Sequence, residues 1–305
     1  MLLARDLHGP ALGPATVLTI GAFDGLHLGH QVLLAHVIER AAELECASAV
    51  ISFEPLPRQV VAPVPLLRLQ TAACKIQQLD QLGLDHLLLL RFNRALMALS
   101  PEEFVEAVLV RRMHAREVWV GPDFRFGRKR SGDVATLEAL GERHGFAVQR
   151  CLPQLSGTTR VSASAIRQAL ADSDFLQARQ LLGRPYRFSR RVVRGRQLGR
   201  QLGFPTANLR WPSPVTNFSG IFAVRVSGRG LHHHPAIASL GTRPTVGGIE
   251  PLLEVHLFDF DGDLYGHRLE VEFVAKQRDE LKFDSLEALV AQMHADCAQA
   301  RRLLN

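Results

Sequence analysis

The sequence predicts two architectures in one chain: an α/β N-terminal domain, with a parallel sheet covered by helices on both faces, and a C-terminal antiparallel β-barrel closed by an α-helix. Three observations predict it. Up to Cys151, continuously apolar strand-like runs alternate with helical patterns, as buried parallel strands and their crossovers do. Beyond Gly183 the apolar runs shorten, alternate with period two and are separated by turn residues. At 305 residues the chain is long for one domain and comfortable for two. Gly183-Arg184-Pro185 marks the boundary, giving domains 1–183 and 184–305.

Taken in order, strand 17–20 leads through Gly21-Ala22-Phe23-Asp24-Gly25-Leu26-His27-Leu28-Gly29-His30 into a helix over 31–44. The three glycines permit a sharp turn and close approach of a ligand. A helix start offers free N–H groups and a positive dipole end. His27 and His30, three apart in that setting, read as a grip on a nucleotide triphosphate; a strand-to-helix turn with two surface histidines is the plainer alternative. Strand 47–53 ends in Glu54-Pro55-Leu56-Pro57-Arg58, an extended loop by its prolines. A helix over 71–82 stops at Gly83, and 85–92 is a third strand.

Ser100-Pro101-Glu102-Glu103 sets Ser at the N-cap, Pro at N1 and Glu at N3 of a helix running to about Arg112. Strand 117–120 precedes Gly121-Pro122-Asp123-Phe124-Arg125-Phe126-Gly127, and helix 134–144 and strand 146–151 follow. In such sheets ligands sit beyond the carboxyl ends of the strands, where loops 21–30, 54–58 and 123–127 all lie. Thr159-Arg160-Val161-Ser162-Ala163-Ser164-Ala165-Ile166-Arg167 is a further helix start, capped by Ser162 or Ser164. Arg167 there can reach a phosphate, or is an ordinary surface arginine. Helix 175–182 ends at Gly183.

The barrel strands are 186–193, 222–226, 236–240, 253–258 and 269–273, and helix 285–304 closes them with Ser285 at its cap. Between the first two, glycines recur at Gly195, Gly199 and Gly203, around Leu198, before Pro205-Thr206-Ala207-Asn208. Such a loop is a candidate nest for phosphate oxygens, or simply a glycine-rich barrel loop. The Thr206 hydroxyl and Asn208 carbonyl are hard oxygen donors suited to magnesium. No G-x-x-x-x-G-K-[ST] occurs, so kinase chemistry here would not use a P-loop. Alternation sets Glu254 and His256 opposite Leu253, Val255 and Leu257, making Glu254 either a general base or a solvent-facing carboxylate. The acids from Asp259 to Glu270 mimic a calcium loop, but Leu264 stands where its glycine belongs, so the segment reads as a hairpin turn. His232-His233-His234 lacks further ligands and reads as a loop between strands.

No apolar run reaches a membrane span, and the first residues lack the basic and apolar regions of a signal peptide. Cys46, Cys74, Cys151 and Cys297 form no C-x-x-C and read as reduced thiols, so a cytoplasmic location is expected. The net charge of +6 is concentrated beyond Gly183, in Arg187, Arg190, Arg191, Arg194, Arg196 and Arg200. No aromatic-rich RNA-binding signature accompanies them, so small phosphate-bearing ligands, not nucleic acid or membrane, are the expected partners.

These motifs resemble the bacterial bifunctional riboflavin kinase/FAD synthetase family over nearly the whole chain. The first half carries its G-x-F-D-G-x-H-x-G-H, the stretches 53–58 and 121–127, and the Ser162 to Arg167 segment. The second half carries Leu198-Gly199, Leu202-Gly203-Phe204-Pro205-Thr206-Ala207-Asn208, Gly241-Thr242-Arg243-Pro244-Thr245 and Leu253-Glu254-Val255-His256. Departures are Leu56 and Gln59 in the family's F-E-P-H-P-R-E, Ala163 in its S-S-T-x-x-R, Phe222 for a tyrosine and Ser239 for an asparagine.

The resemblance implies a Rossmann-like nucleotidyltransferase fold first and a riboflavin kinase barrel second. The barrel would phosphorylate riboflavin with Mg2+-ATP, with Thr206 and Asn208 on the metal and phosphates and Glu254 accepting the hydroxyl proton. The first domain would transfer AMP from ATP to FMN, giving FAD. Its nucleotide would meet Gly21, Phe23, Asp24, Gly25, Gly29, Ser162 and Ser164, with His27 and His30 stabilising charge on the phosphates. Arg167 would hold the pyrophosphate side, and Asp123, Phe124 and Arg125 would lie near the flavin. Gly195, Leu198, Gly199, Gly203 and Pro205 would shape the second nucleotide site. At most weak or transient self-association is expected. The alternatives are a nucleotidyltransferase of other specificity with a ligand-binding barrel, and a basic flavin- or RNA-binding protein without catalysis.

Overall fold

The computed structural model describes residues 1–62, 66–195, 199, 202–211, 218–245 and 248–305. Leu198, Arg196 and Arg200 therefore lie outside the described residues. The chain divides into two compact units. The first holds residues up to Ala163, apart from a short stretch ending at Arg68; the second holds that stretch and Ser164–Asn305.

In chain order the first unit contains β1 (Leu2–Ala4), β2 (Thr16–Ile20), α1 (Leu28–Glu43), β3 (Ala47–Glu54), α2 (Pro57–Val61), α3 (Ala72–Gln81), β4 (His86–Arg91), α4 (Arg94–Ala98) and α5 (Pro101–Phe104). A π-helix, Val105–Arg112, continues α5, and β5 (Ala115–Val120), α6 (Val134–His144), β6 (Ala147–Arg150) and the short pair β7 (Leu155–Ser156) and β8 (Thr159–Arg160) follow. Six strands form one parallel sheet in the order β1-β4-β3-β2-β5-β6. Every residue of β2 is buried, as coverage on both faces requires. Alternate residues serve opposite faces: Leu18, Ile51 and Leu88 pack under the π-helix and α6, whereas Val50, Leu87 and Leu89 pack under α1 and α3.

Several local expectations are corrected. Glu54-Pro55-Leu56-Pro57-Arg58 is not wholly extended: Pro57 occupies N1 of α2, where its missing N–H costs nothing, and the Leu56 N–H donates to Gln59 Oε1 at 3.1 Å. The helix from Ser100 changes to π spacing after Phe104. β1, α4 and the β7–β8 hairpin are too short to leave a periodic signal.

The second unit carries α7 (Ala163–Ala171), α8 (Phe175–Leu182), β9 (Arg187–Arg191), β10 (Ala207–Arg210), β11 (Gly220–Gly228), β12 (Leu231–Thr245), β13 (Gly248–Leu257), β14 (Arg268–Arg278) and α9 (Leu286–Leu304). The strands pair antiparallel in the order β10-β13-β12-β11-β14-β9. A bridge from Val193 to Asn208 joins the two edges and nearly closes a barrel. Its aromatic core joins Phe218, Phe222 and Phe273 in edge-on contacts of 5.3–5.6 Å, and Phe175 of α8 stacks on Phe273. Phe222 is wholly buried there, where a tyrosine hydroxyl would need a partner.

Two barrel expectations fail on sheet order. β13 and β14 are not neighbours, so the acidic 259–270 segment is a crossover between separated strands and not a hairpin turn. His232, His233 and His234 lie within β12 and not in a loop. His234 Nε2 lies 2.6 Å from the Phe258 carbonyl oxygen. No helix among the described residues is long and apolar enough to cross a membrane.

Candidate functional site

β2 and β5 are adjacent, and the chain proceeds outward from them in opposite directions. That reversal opens a crevice at the carboxyl edge of a parallel sheet. The loops after these two strands line a cavity of about 300 Å3 there. It brings together Gly21, Phe23, His27, Gly29, His30, Asp123, Phe124 and Ser162, with Gln154 and Arg160 added.

The turn holding the histidines is bent through the left-handed region at Phe23 (φ 47°), Gly25 (φ 87°) and Leu26 (φ 42°). Phe and Leu resist that conformation, and surrounding contacts impose it. Both side chains are buried. Gln70 Nε2 donates to the Phe23 carbonyl at 2.9 Å and Gln31 Nε2 to the Leu26 carbonyl at 2.8 Å. Lys75 Nζ donates to the Ala22 carbonyl at 3.2 Å. The Asp24 carboxylate is buried and accepts the Leu69 N–H at 3.1 Å, so it braces the turn from inside.

His27 is the N-cap of α1, and its Nδ1 accepts the His30 N–H at 3.3 Å. A neutral His27 accepting there carries its proton on Nε2. The two rings stack with centroids 3.6 Å apart, and Phe23 packs on His30 at 4.8 Å. His30 Nδ1 is buried without a hydrogen-bond partner. Burial first, then His27, then Lys75 hold its pKa well below the ordinary histidine value, so its ring is neutral near pH 7. Neutral imidazoles at a helix N-terminus suit an anionic ligand: they donate N–H groups where the dipole is positive.

Other expected residues stand elsewhere. Arg125 pairs with Asp133 at 3.3 Å and, with Asp123 and Phe124, borders a second hollow of about 390 Å3. Asp123 also pairs with Arg160. Ser162 immediately precedes α7, while Ser164 and Arg167 fall inside it and belong to the second unit. Arg167 is buried and not a surface residue; its Nε donates to the Leu67 carbonyl at 2.7 Å. The 54–58 loop contributes no residue to the 300 Å3 cavity.

In the barrel, register builds the site. Asn208 of β10 is directly opposite Glu254 of β13, which is opposite Ser239 of β12, then Ile221 of β11 and Arg278 of β14. Directly opposed residues share a face. Glu254, Ser239, Ile221 and Arg278 line a cavity of about 660 Å3 whose far wall is α9, with Met293, Asp296 and Cys297. Glu254 is half-buried and lines this cavity opposite residues of α9, so it does not stand wholly in solvent. Thr206 lines this cavity and also a second one of about 630 Å3, shared with Asn208, Arg194, Asp261, Asp263 and Tyr265.

The glycines fit close approaches. A Cβ on Gly195 would sit 2.7 Å from the Asn208 amide, and one on Gly199 would sit 2.4 Å from the Phe204 carbonyl oxygen. Gly203 takes φ 85°. His256 Nδ1 lies 2.9 Å from the Pro205 carbonyl, which fixes that proline just before Thr206. On the opposite wall, Asp296 is buried and receives Arg278 Nε at 3.0 Å and Gln292 Nε2 at 2.8 Å. Burial and then Asp296 push the neighbouring Cys297 thiol up to about 11, so it stays protonated.

The donors around Asn208 test whether magnesium fits. All are oxygens: the Thr206 hydroxyl, the Asn208 carbonyl and two carboxylates bordering one cavity. Asn208 Nδ2 donates to the Thr206 carbonyl at 3.3 Å, leaving the amide oxygen as its acceptor end. Such a set suits a hard cation that keeps most of its shell for water and phosphate.

Sequence comparison matches the FAD synthetase family over residues 11–165 and the riboflavin kinase family over residues 182–304. A Haemophilus influenzae bifunctional riboflavin kinase/FMN adenylyltransferase is 40% identical over 310 residues, covering 100% of both chains. The Pseudomonas fluorescens protein of the same name is 43% identical, covering 99% of this chain and 98% of its own. A solved Streptococcus pneumoniae structure, described as a macrolide-efflux protein, superimposes with TM-score 0.83 at 29% identity, covering 98% of each chain.

Proposed function

Because the chain belongs to the bifunctional riboflavin kinase/FMN adenylyltransferase family and so makes FMN from riboflavin and FAD from FMN, each with ATP, we propose how its residues divide that work. Residues 184–305 carry the kinase and residues 1–183 the adenylyltransferase. The protein works in the cytoplasm on small molecules.

In the kinase, riboflavin occupies the 660 Å3 cavity and the ATP phosphates the adjoining one, with Thr206 between them. Glu254 accepts the proton as the ribityl 5′-hydroxyl oxygen bonds to the γ-phosphorus and ADP departs. Thr206 and Asn208 would hold magnesium, which would supply positive charge for the phosphoryl oxygens. Gly195, Gly199, Gly203 and Pro205 keep that corner narrow enough for the backbone to meet phosphate. The single observation that carries this reading is the row Asn208–Glu254–Ser239, which sets a carboxylate beside the oxygen donors on the cavity side of the sheet.

In the adenylyltransferase, an FMN phosphate oxygen bonds to the α-phosphorus of ATP and the bond to the β-phosphate oxygen breaks. His27 and His30 donate hydrogen bonds to the charge that develops, beside the start of α1. Asp123, Phe124 and Arg125 border the flavin, and Ser162 serves the phosphates.

His30→Ala in the full chain tests the division. With riboflavin, ATP and magnesium, chromatography of the flavins is expected to show FMN accumulating while FAD formation falls by about 10²–10³-fold. Equal loss of both products would overturn the two-site assignment.

A further inference from the structure

Lys75 has no part in the chemistry proposed above, yet among the described residues it is one of the most buried side chains, at 1% exposure. Burying an ammonium is costly unless its donors are satisfied, so its partners carry information. They lie at the carboxyl ends of the adjacent strands β2 and β3, the first of which leads into the histidine turn. Nζ donates to the Ala22 carbonyl at 3.2 Å, the Ser52 hydroxyl at 2.9 Å and the Phe53 carbonyl at 3.2 Å. Ser52 Oγ in turn donates to the same Ala22 carbonyl at 3.2 Å.

The Ala22 carbonyl is thus held from within by two donors. In a trans peptide the C=O and the following N–H point in opposite directions. Drawing the Ala22 oxygen down toward Lys75 therefore turns the Phe23 N–H the other way. Gln70 and Gln31 treat the Phe23 and Leu26 carbonyls alike, but only Lys75 adds a charge. Its field reaches His30, where it adds to the effects of burial and His27.

The geometry points to Lys75 as a positioning residue for adenylyl transfer, one that sets the peptide orientation of the 21–27 turn and places a fixed positive charge beneath the triphosphate. It acts through Ala22 and Ser52 and touches no substrate. The inference rests on reading 21–30 as the adenylyl site.

Lys75→Met in the full chain tests it, with riboflavin kinase activity as the internal control. Adenylyl transfer is expected to lose roughly tenfold to a hundredfold in kcat, the scale of a displaced catalytic turn. FMN formation stays within twofold. In chains carrying 15N-histidine, the His30 protonation midpoint followed by NMR moves up, because the Lys75 ammonium that opposes its protonation is gone. Lys75→Arg, which keeps charge and donors, restores most of the rate. Ser52→Ala removes the shortest contact without stranding a charge and lowers adenylyl transfer about threefold. An unchanged adenylyl rate in either the Met or the Ala variant overturns the proposal. So does a loss with the His30 midpoint unmoved, which marks a merely structural lysine. If His30→Ala, run in parallel, leaves FAD formation intact, the site reading fails and this inference fails with it.

Discussion

Glu254→Gln removes a proton acceptor and keeps the shape of the side chain. The pairing of β13 with β10 and β12 is made by backbone groups, so the row Asn208–Glu254–Ser239 survives the change. The loss should fall on the chemical step. A positioned base contributes about 10²–10⁴-fold, equivalent to roughly 3–6 kcal/mol of barrier at ~1.4 kcal/mol per decade. The half-buried position of Glu254 on the cavity wall places the expectation near the middle of that range. A drop of about 10³-fold in FMN formation is therefore expected, with little change in the riboflavin KM. The assay supplies riboflavin, ATP and magnesium and resolves riboflavin, FMN and FAD by chromatography. A parallel reaction supplied with FMN must still yield FAD, which shows that the adenylyltransferase is intact, and an unchanged far-UV circular dichroism spectrum shows that the barrel is folded. FMN formation within threefold of wild type would refute the assignment of Glu254 as base and would leave positioning by Thr206 and Asn208 as the source of rate.

Two further outcomes follow from the same geometry. Asp296→Ala strands the Arg278 guanidinium on the cavity wall; losing one partner of a buried pair costs ~3–5 kcal/mol, and the partial exposure of Arg278 brings this to about 2–3 kcal/mol, seen as a lower urea midpoint with a raised riboflavin KM. His30 also makes stability depend on pH. Its folded pKa is depressed, so below about pH 6.5 the unfolded chain binds more protons, and stability falls with acidification down to the folded value by at most ~1.4 kcal/mol per pH unit. Urea midpoints between pH 7 and pH 5 should fall more steeply for the wild type than for His30→Gln; equal slopes would contradict the buried neutral ring.

What was legible in the sequence was local. The apolar run of β2, the glycines of the turn and the Ser100 capping box specify their own conformations within a few residues, and the structure follows them. Alternation alone set Glu254 and His256 on one face. What failed depended on partners far along the chain. Lys75 sits in an α3 pattern that gives no hint that Ala22 and Ser52 wait for its ammonium. The 259–270 segment resembles a hairpin until the strand order is known, because β11 and β12 separate its two flanking strands. Arg167 reads as exposed until the carbonyl of Leu67, 100 residues earlier, is found beneath it. The turn at Pro57 shows a subtler limit, since proline both ends extended segments and begins helices.

Phe175 gives the division of labour a different boundary from the one written in the motifs. The riboflavin kinase match begins at residue 182, yet the ring stacked on Phe273 comes from α8, upstream of it. A polypeptide begun at residue 184 would carry every kinase motif and still expose Phe222 and Phe273 to water on the side that α8 covers. The stability of a separated kinase piece thus depends on an aromatic contact that lies outside its matched segment. A gene fission that broke the chain ahead of α8 would keep this contact and leave the kinase with a helix that looks, by sequence, like the tail of its neighbour.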